Sequence, residues 1–196
     1  MTHFTELIKK FKDDGKGLMS LDQYLYAAIT VKMLAPCNFL VFGLGEDSPL
    51  WEEFNKGGRT VFLEDDKEWI KQFDDQGLEI YDVTYSTKVE DHKKIGFDPE
   101  KLKMDLPDTI SETKWDLIFV DGPLGHQPPR PYQGPGRMQS IYTAHSLLRD
   151  DGICIIDDLG REVEQNYALH YFGEINTLMF IDQKVGIFKK DSTHGE

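Results

Sequence analysis

Asn38-Phe39-Leu40-Val41-Phe42, preceded by Pro36-Cys37 and running straight into Gly43-Leu44-Gly45, decides the fold. The run is too short for a helix and, after Asn38, apolar on every residue. A strand buried on both faces of a parallel sheet reads this way, because neither face needs a polar side chain. Similar short runs recur at Thr60 to Leu63, Glu79 to Val83, Trp115 to Val120 and Gly152 to Ile156. Between them, Pro49 to Phe54, Asp66 to Phe73 and Met138 to Leu148 carry helical patterns. Alternation of strand and helix implies an α/β domain, a mostly parallel sheet with helices on both faces.

Working outward, the first 35 residues read as a helical segment packed on that core. Phe4 to Phe11 and Leu21 to Leu34 have helical spacing, with Ser20 placed as the cap of the second and Pro36 ending it. Lys88 to Thr113 is charged and carries Pro99 and Pro107, so an irregular crossover with at most a short helix is expected. At the other end Leu169 to Phe172, Thr177 to Ile181 and Val185 to Phe188 look like strand pieces on short connections, an antiparallel hairpin finishing the sheet. Residues 191–196 form a polar tail.

The whole chain has 196 residues, enough for one domain. Its 35 acidic residues outweigh 22 Lys and Arg, for a net charge of -13, which repels a phosphate backbone and excludes general nucleic-acid binding. Cys37 and Cys154 both sit beside apolar runs and are expected as reduced core residues. No apolar run approaches the ~20 residues of a membrane span, and the first residues lack the order of a secretory signal. A cytoplasmic protein is expected, with no membrane contact and no obligate protein partner.

In an open parallel sheet, ligands bind beyond the carboxyl ends of the strands. After the first strand, Gly43, Leu44 and Gly45 offer a turn whose bare backbone lets a ligand approach. No third glycine of the dinucleotide pattern follows, and no Gly-Lys-Ser/Thr, so phosphate cofactors are not expected. About twenty residues on, Glu64 ends the second strand, where a carboxylate accepts hydrogen bonds from both hydroxyls of a ribose. An adenosine ligand without phosphates fits, and S-adenosylmethionine (SAM) is one whose positive charges suit Glu46, Asp47 and Asp121. The alternative is that Gly-x-Gly is only a tight turn and Glu64 caps the next helix. The candidate cofactor residues are Gly43, Leu44, Gly45, Glu64, Asp65, Tyr85 and Asp121. Asp121 follows the fourth strand and Asp157-Asp158 the fifth; together they are placed to position SAM and acceptor, or to ligate a divalent metal.

Five of the nine prolines, Pro123, Pro128, Pro129, Pro131 and Pro135, fall between Gly122 and Met138. Such a stretch forms no regular element and is expected to be a preordered lid over an acceptor pocket. Arg130 and Arg137, two of only five arginines, lie in it and are suited to grip a carboxylate. Arg137 bracing the loop against Glu64, Asp121 or Asp158 is the competing account. Asp121, Asp158 and His126 are the candidate catalytic residues; Arg130, Arg137 and Tyr142 are the candidate acceptor residues. No residue is assigned to a metal.

Pro36 to Gly45, then Gly57-Gly58-Arg59-Thr60-Val61-Phe62-Leu63-Glu64, closely resemble the plant glucuronoxylan 4-O-methyltransferase family, also known as domain of unknown function 579. Pro135-Gly136-Arg137-Met138, Ile141-Tyr142-Thr143-Ala144, and Asp158 with Arg161-Glu162-Val163-Glu164 are similar to its later motifs. The resemblance implies a SAM-dependent methyltransferase over residues 36–190, Rossmann-like with a seven-stranded sheet. It places Gly43, Gly45 and Glu64 at the cofactor, Asp121 at the transfer site, and Arg137 and Asp158 at the acceptor. Two features depart from it: Glu46 stands where the plant members have His, and their Golgi anchor is not seen here. His126 to Gly134 also differs from the family pattern. The expected acceptor is therefore a small molecule bearing a carboxylic acid, methylated on its carboxyl group. The alternatives are a hydroxyl of a glucuronate-type sugar, methylated with or without a metal, and a SAM-binding module without catalysis.

Overall fold

The computed structural model describes residues 3–125, 134–174 and 176–192. Seven strands form one sheet: β1 Asn38–Phe42, β2 Arg59–Glu64, β3 Glu79–Asp82, β4 Trp115–Val120, β5 Leu148–Ile156, β6 Thr177–Ile181 and β7 Val185–Lys189. Their order is β3-β2-β1-β4-β5-β7-β6, with β1 to β5 parallel and β7 antiparallel to both of its neighbours. The chain leaves β1 toward β2 on one side and reaches β4 on the other, so the order reverses between β1 and β4. That reversal opens a crevice at the strands' carboxyl ends.

The helices are α1 His3–Asp13, α2 Leu21–Leu34, α3 Ser48–Phe54, α4 Lys67–Phe73, α5 His92–Ile95, α6 Pro99–Leu102, α7 Asp108–Ser111, α8 Met138–Leu147 and α9 Glu162–Phe172. Side chains alternate along each central strand between two cores. Leu40, Phe42, Ile118 and Val120 pack toward α8 and α9, whereas Phe39, Val41, Leu117 and Phe119 pack toward α1, α2 and α3. Both faces being covered is why these strands read as unbroken apolar runs. Ser20 and Gln23 form the reciprocal cap that starts α2. Buried Asn55 joins the starts of β1 and β2 by bonding Cys37 N–H, Cys37 C=O and Thr60 Oγ1, each at 3.0 Å.

Two expectations need correction. Leu169 to Phe172 is the last turn of α9, not a strand. Glu164, Tyr167, Ala168 and Phe172 are its buried residues, three or four apart, and this longer helical period overrides a four-residue apolar piece too short to show one. The crossover after β3 holds three one-turn helices, α5, α6 and α7, where at most one was expected. Pro99 starts α6 at a position where its missing N–H costs nothing. No helix among the described residues is long and apolar enough to cross a membrane.

Candidate active site

The turn after β1 is held from both sides: Gly43 N–H bonds Leu63 C=O at 2.8 Å, and Asp121 N–H bonds Phe42 C=O at 2.9 Å. Gly43 has φ +107°, and a Cβ there would lie 3.1 Å from Gly122 N. The bare backbone expected to admit a ligand instead admits the turn after β4. Glu64 is also occupied by the protein. One carboxylate oxygen accepts Leu44 N–H at 2.7 Å and the other accepts the N–H groups of Asp65 and Asp66, both at 2.9 Å. It ties the glycine turn to the turn after β2. Asp66, rather than Glu64, caps α4 through Glu68 N–H and Trp69 N–H.

Beside this brace a cavity of about 320 Å³ opens at the ends of β2 and β3. Asp65, Asp82, Thr84 and Tyr85 line it from the sheet, and Gly134 and Pro135 close the far side. Asp65 is exposed into it, and partial burial pushes its carboxyl above the ordinary range. Tyr85 is half-buried, its hydroxyl accepting from Ser140 Oγ at 3.4 Å. Fully buried Gln139 fixes the wall, since its Oε1 accepts Ser86 N–H at 2.8 Å and Thr87 N–H at 3.1 Å.

The ends of β4 and β5 hold interlocked charges. Arg137, 4% exposed, sits at the start of α8 with Nη2 3.3 Å from Asp121 and 2.7 Å from Asp158. Its Nε and Nη1 reach the carbonyls of Pro123 and Val120 at 3.4 and 3.5 Å. With every nitrogen engaged within the protein, Arg137 braces the acids, which is the competing account of its role. Asp158, at φ +64°, also pairs with Arg161 at 2.9 Å. Asp121 and Asp157 are close enough to act on each other electrostatically. Burial drives the Asp121 carboxyl well up; Arg137 opposes this, while Asp157, Asp47 and Asp158 add to it.

Tyr142 packs against Tyr171 of α9, ring centroids 5.5 Å apart, in the aromatic layer between the two helices. His126 and Arg130, with the rest of residues 126–133 of the proline-rich stretch, lie outside the described residues. Among the described residues no group of three or more acidic, His or Cys side chains is arranged to hold a metal. Sequence reasoning missed the contribution of α2, from which Tyr24 donates to Asp47 at 3.0 Å. It also missed Gln139, for which no sequence signal exists because its partners lie 52 and 53 residues away.

A family model described as IRX15/IRX15L/GXM matches residues 24–101 and 95–183. The chain belongs to this family. Glucuronoxylan 4-O-methyltransferase 3 of Arabidopsis thaliana is 43% identical to the IRX15/IRX15L/GXM chain over 68% of it and 51% of the relative. Arabinogalactan O-methyltransferase 2 of the same plant is 34% identical over 79% and 61%. Protein IRREGULAR XYLEM 15 is 36% identical over 58% and 41%. The chain spans about half the length of the glucuronoxylan relatives it matches. Their names put the methyl group on a 4-O oxygen of glucuronoxylan, which supports the hydroxyl alternative and not the carboxyl one. Two solved structures share the fold at low identity. A SAM-dependent O-methyltransferase from Thermotoga maritima aligns with TM-score 0.54 and 13% identity over 97% of this chain and 73% of that one. A T. thermophilus 16S rRNA N2 G1207 methyltransferase in complex with AdoMet and guanosine aligns at 0.55 and 16%, over 89% and 44%. The Rossmann-like methyltransferase fold expected from the sequence is therefore the fold observed.

Proposed function

We propose that this chain is a SAM-dependent O-methyltransferase that acts on a hydroxyl of a glucuronate-bearing polysaccharide. The observation that carries the reading is the half-buried Asp121 at the crevice between β1 and β4, beside the turn of Gly43 and held by Arg137. An ordinary sugar hydroxyl is a poor nucleophile and benefits from a base, whereas a carboxylate acceptor needs none. A carboxyl whose affinity for protons is raised by burial is the better base.

The residues present fit the cofactor. The cavity at β2 and β3 lies at the small end of the ~300–1,000 Å³ range of ligand sites, and Asp65 and Tyr85 line it. Asp47, Asp121 and Asp157 provide negative charge in excess of Arg137, which suits a cationic ligand. SAM, when bound, supplies a methyl group made electrophilic by its sulfonium. Asp121 takes the proton of the acceptor hydroxyl, and Arg137 holds Asp121 in place. The remaining task is positional, since the attacking oxygen must stand about 3 Å from the methyl carbon and in line with the bond that breaks.

Labelled SAM offered with glucuronoxylan, arabinogalactan, carboxyl-reduced xylan and free glucuronate tests this. Label is expected in glucuronoxylan as an alkali-stable ether. Alkali-labile label would mean a methyl ester and return the carboxyl reading. Members of the family named without an activity, such as IRREGULAR XYLEM 15, support a second reading, a binding module without catalysis. SAM binding with no label in any glycan would favour it.

A further inference from the structure

Tyr24 stands on α2, away from every strand end, yet its hydroxyl is built into the acidic rim. It donates to Asp47 Oδ2 at 3.0 Å in a buried contact, and the residue is 2% exposed. Trp51 stacks on the ring at 5.9 Å and Phe11 meets it edge-on at 5.5 Å. The turn between α1 and α2 closes over the hydroxyl, where a Cβ on Gly17 would overlap the Tyr24 oxygen. Burial, with Asp47, Asp121 and Asp157 nearby, pushes the phenol far up, so it remains a donor.

Asp47 touches the glycine turn in its own right: a Cβ on Gly45 would lie 3.0 Å from Asp47 Oδ1. Burial raises its carboxyl, and the bond from Tyr24 opposes that. Asp47, Asp121 and Asp157 act on one another, while the nearby Arg137 is shared with Asp158. Negative charge therefore remains in excess on the side of β4 and β5. The cavity lies on the opposite side, at β2 and β3. A nucleoside seated there directs the other end of its molecule across the glycine turn toward these acids.

We infer that Tyr24 is a positioning residue for the cofactor's amino-acid end, holding Asp47 against the glycine turn so that its carboxylate faces the ammonium group. This rests on the reading of the chain as a SAM-dependent methyltransferase. Titration calorimetry with SAM, S-adenosylhomocysteine and methylthioadenosine tests it, because the first two carry the amino-acid end and the third lacks it. Tyr24→Phe is expected to weaken SAM and S-adenosylhomocysteine about tenfold, the scale of a hydrogen bond to a charged group. Methylthioadenosine should bind within about twofold of the wild type. Equal weakening of all three overturns the inference, since a merely structural role would produce it. Asp47→Asn leaves α2 intact and should show the same selective loss, and the double variant should bind no more weakly than Asp47→Asn alone. Additive losses also overturn it. A wild-type chain that binds none of the three overturns the methyltransferase reading, and this inference with it.

Discussion

The two halves of the strand-end crevice differ in what their polar groups are doing. At β2 and β3, Asp65 and Tyr85 face a cavity, and the adjoining Glu64 is satisfied by backbone amides. At β4 and β5, buried Arg137 pairs with the partly exposed Asp121 and Asp158, Arg161 also pairs with Asp158, and Asp157 acts on Asp121 through its charge. The first half is shaped to receive a ligand. The second is a pre-assembled charge network whose geometry is set before any ligand arrives, as electrostatic preorganisation requires. Affinity for the nucleoside should therefore depend mostly on the open half, and rate and stability on the closed one.

The largest test of that division is Asp121→Asn. It is expected to lower kcat by roughly 10²–10⁴, the range for loss of a general base, while SAM affinity by calorimetry changes less than about threefold. Equal loss in both quantities would erase the distinction between the halves. Arg137→Met strips the network of its central cation and leaves Asp121 and Asp158 facing each other. A cost of about 3–5 kcal/mol is expected, roughly 6–20 °C in Tm for a chain of this size. A Tm within 2 °C or so of the wild type would show that the network does not hold the fold. In the open half, Asp65→Asn should raise the Kd for SAM about tenfold and move stability by less than about 0.5 kcal/mol.

The smallest effect is in the pH dependence of stability. Asp47, Asp121 and Asp157 all have carboxyls raised by burial, so the folded chain keeps protons that the unfolded chain releases. Their contribution is complete below the ordinary carboxylate range near 4 and declines as pH rises through the raised values. Asp157→Asn removes one such acid and relieves Asp121. Its Tm should therefore fall less steeply than the wild type's from pH 4 to 8 in a thermal melt. A steeper fall would reverse the sign of the argument.

Much of this architecture is legible in the amino-acid order because burial on both sheet faces writes β1, β2 and β4 as apolar runs. The acids follow from the same logic, since Glu64 and Asp121 are the first polar residues after the runs of β2 and β4, and Asp157 the first after that of β5. What a linear reading misses is partnership. Whether Arg137 meets an acceptor or Asp158 depends on α8 and β5 lying side by side. Tyr142 reads like a site residue because it follows Arg137 closely, but the next helical turn carries it toward α9. Asn55 and Gln139 leave no trace at all, as each satisfies backbone groups far along the chain.

Gly43 and Gly122 meet backbone to backbone, and a Cβ on either would approach the other within about the closest contact atoms tolerate. With no side chain between them to yield, the loops after β1 and β4 form a single mechanical joint. Grafting the segment that follows β4 from one family member into another, to trade acceptor preference, must keep both glycines or it will also shift the neighbouring loop.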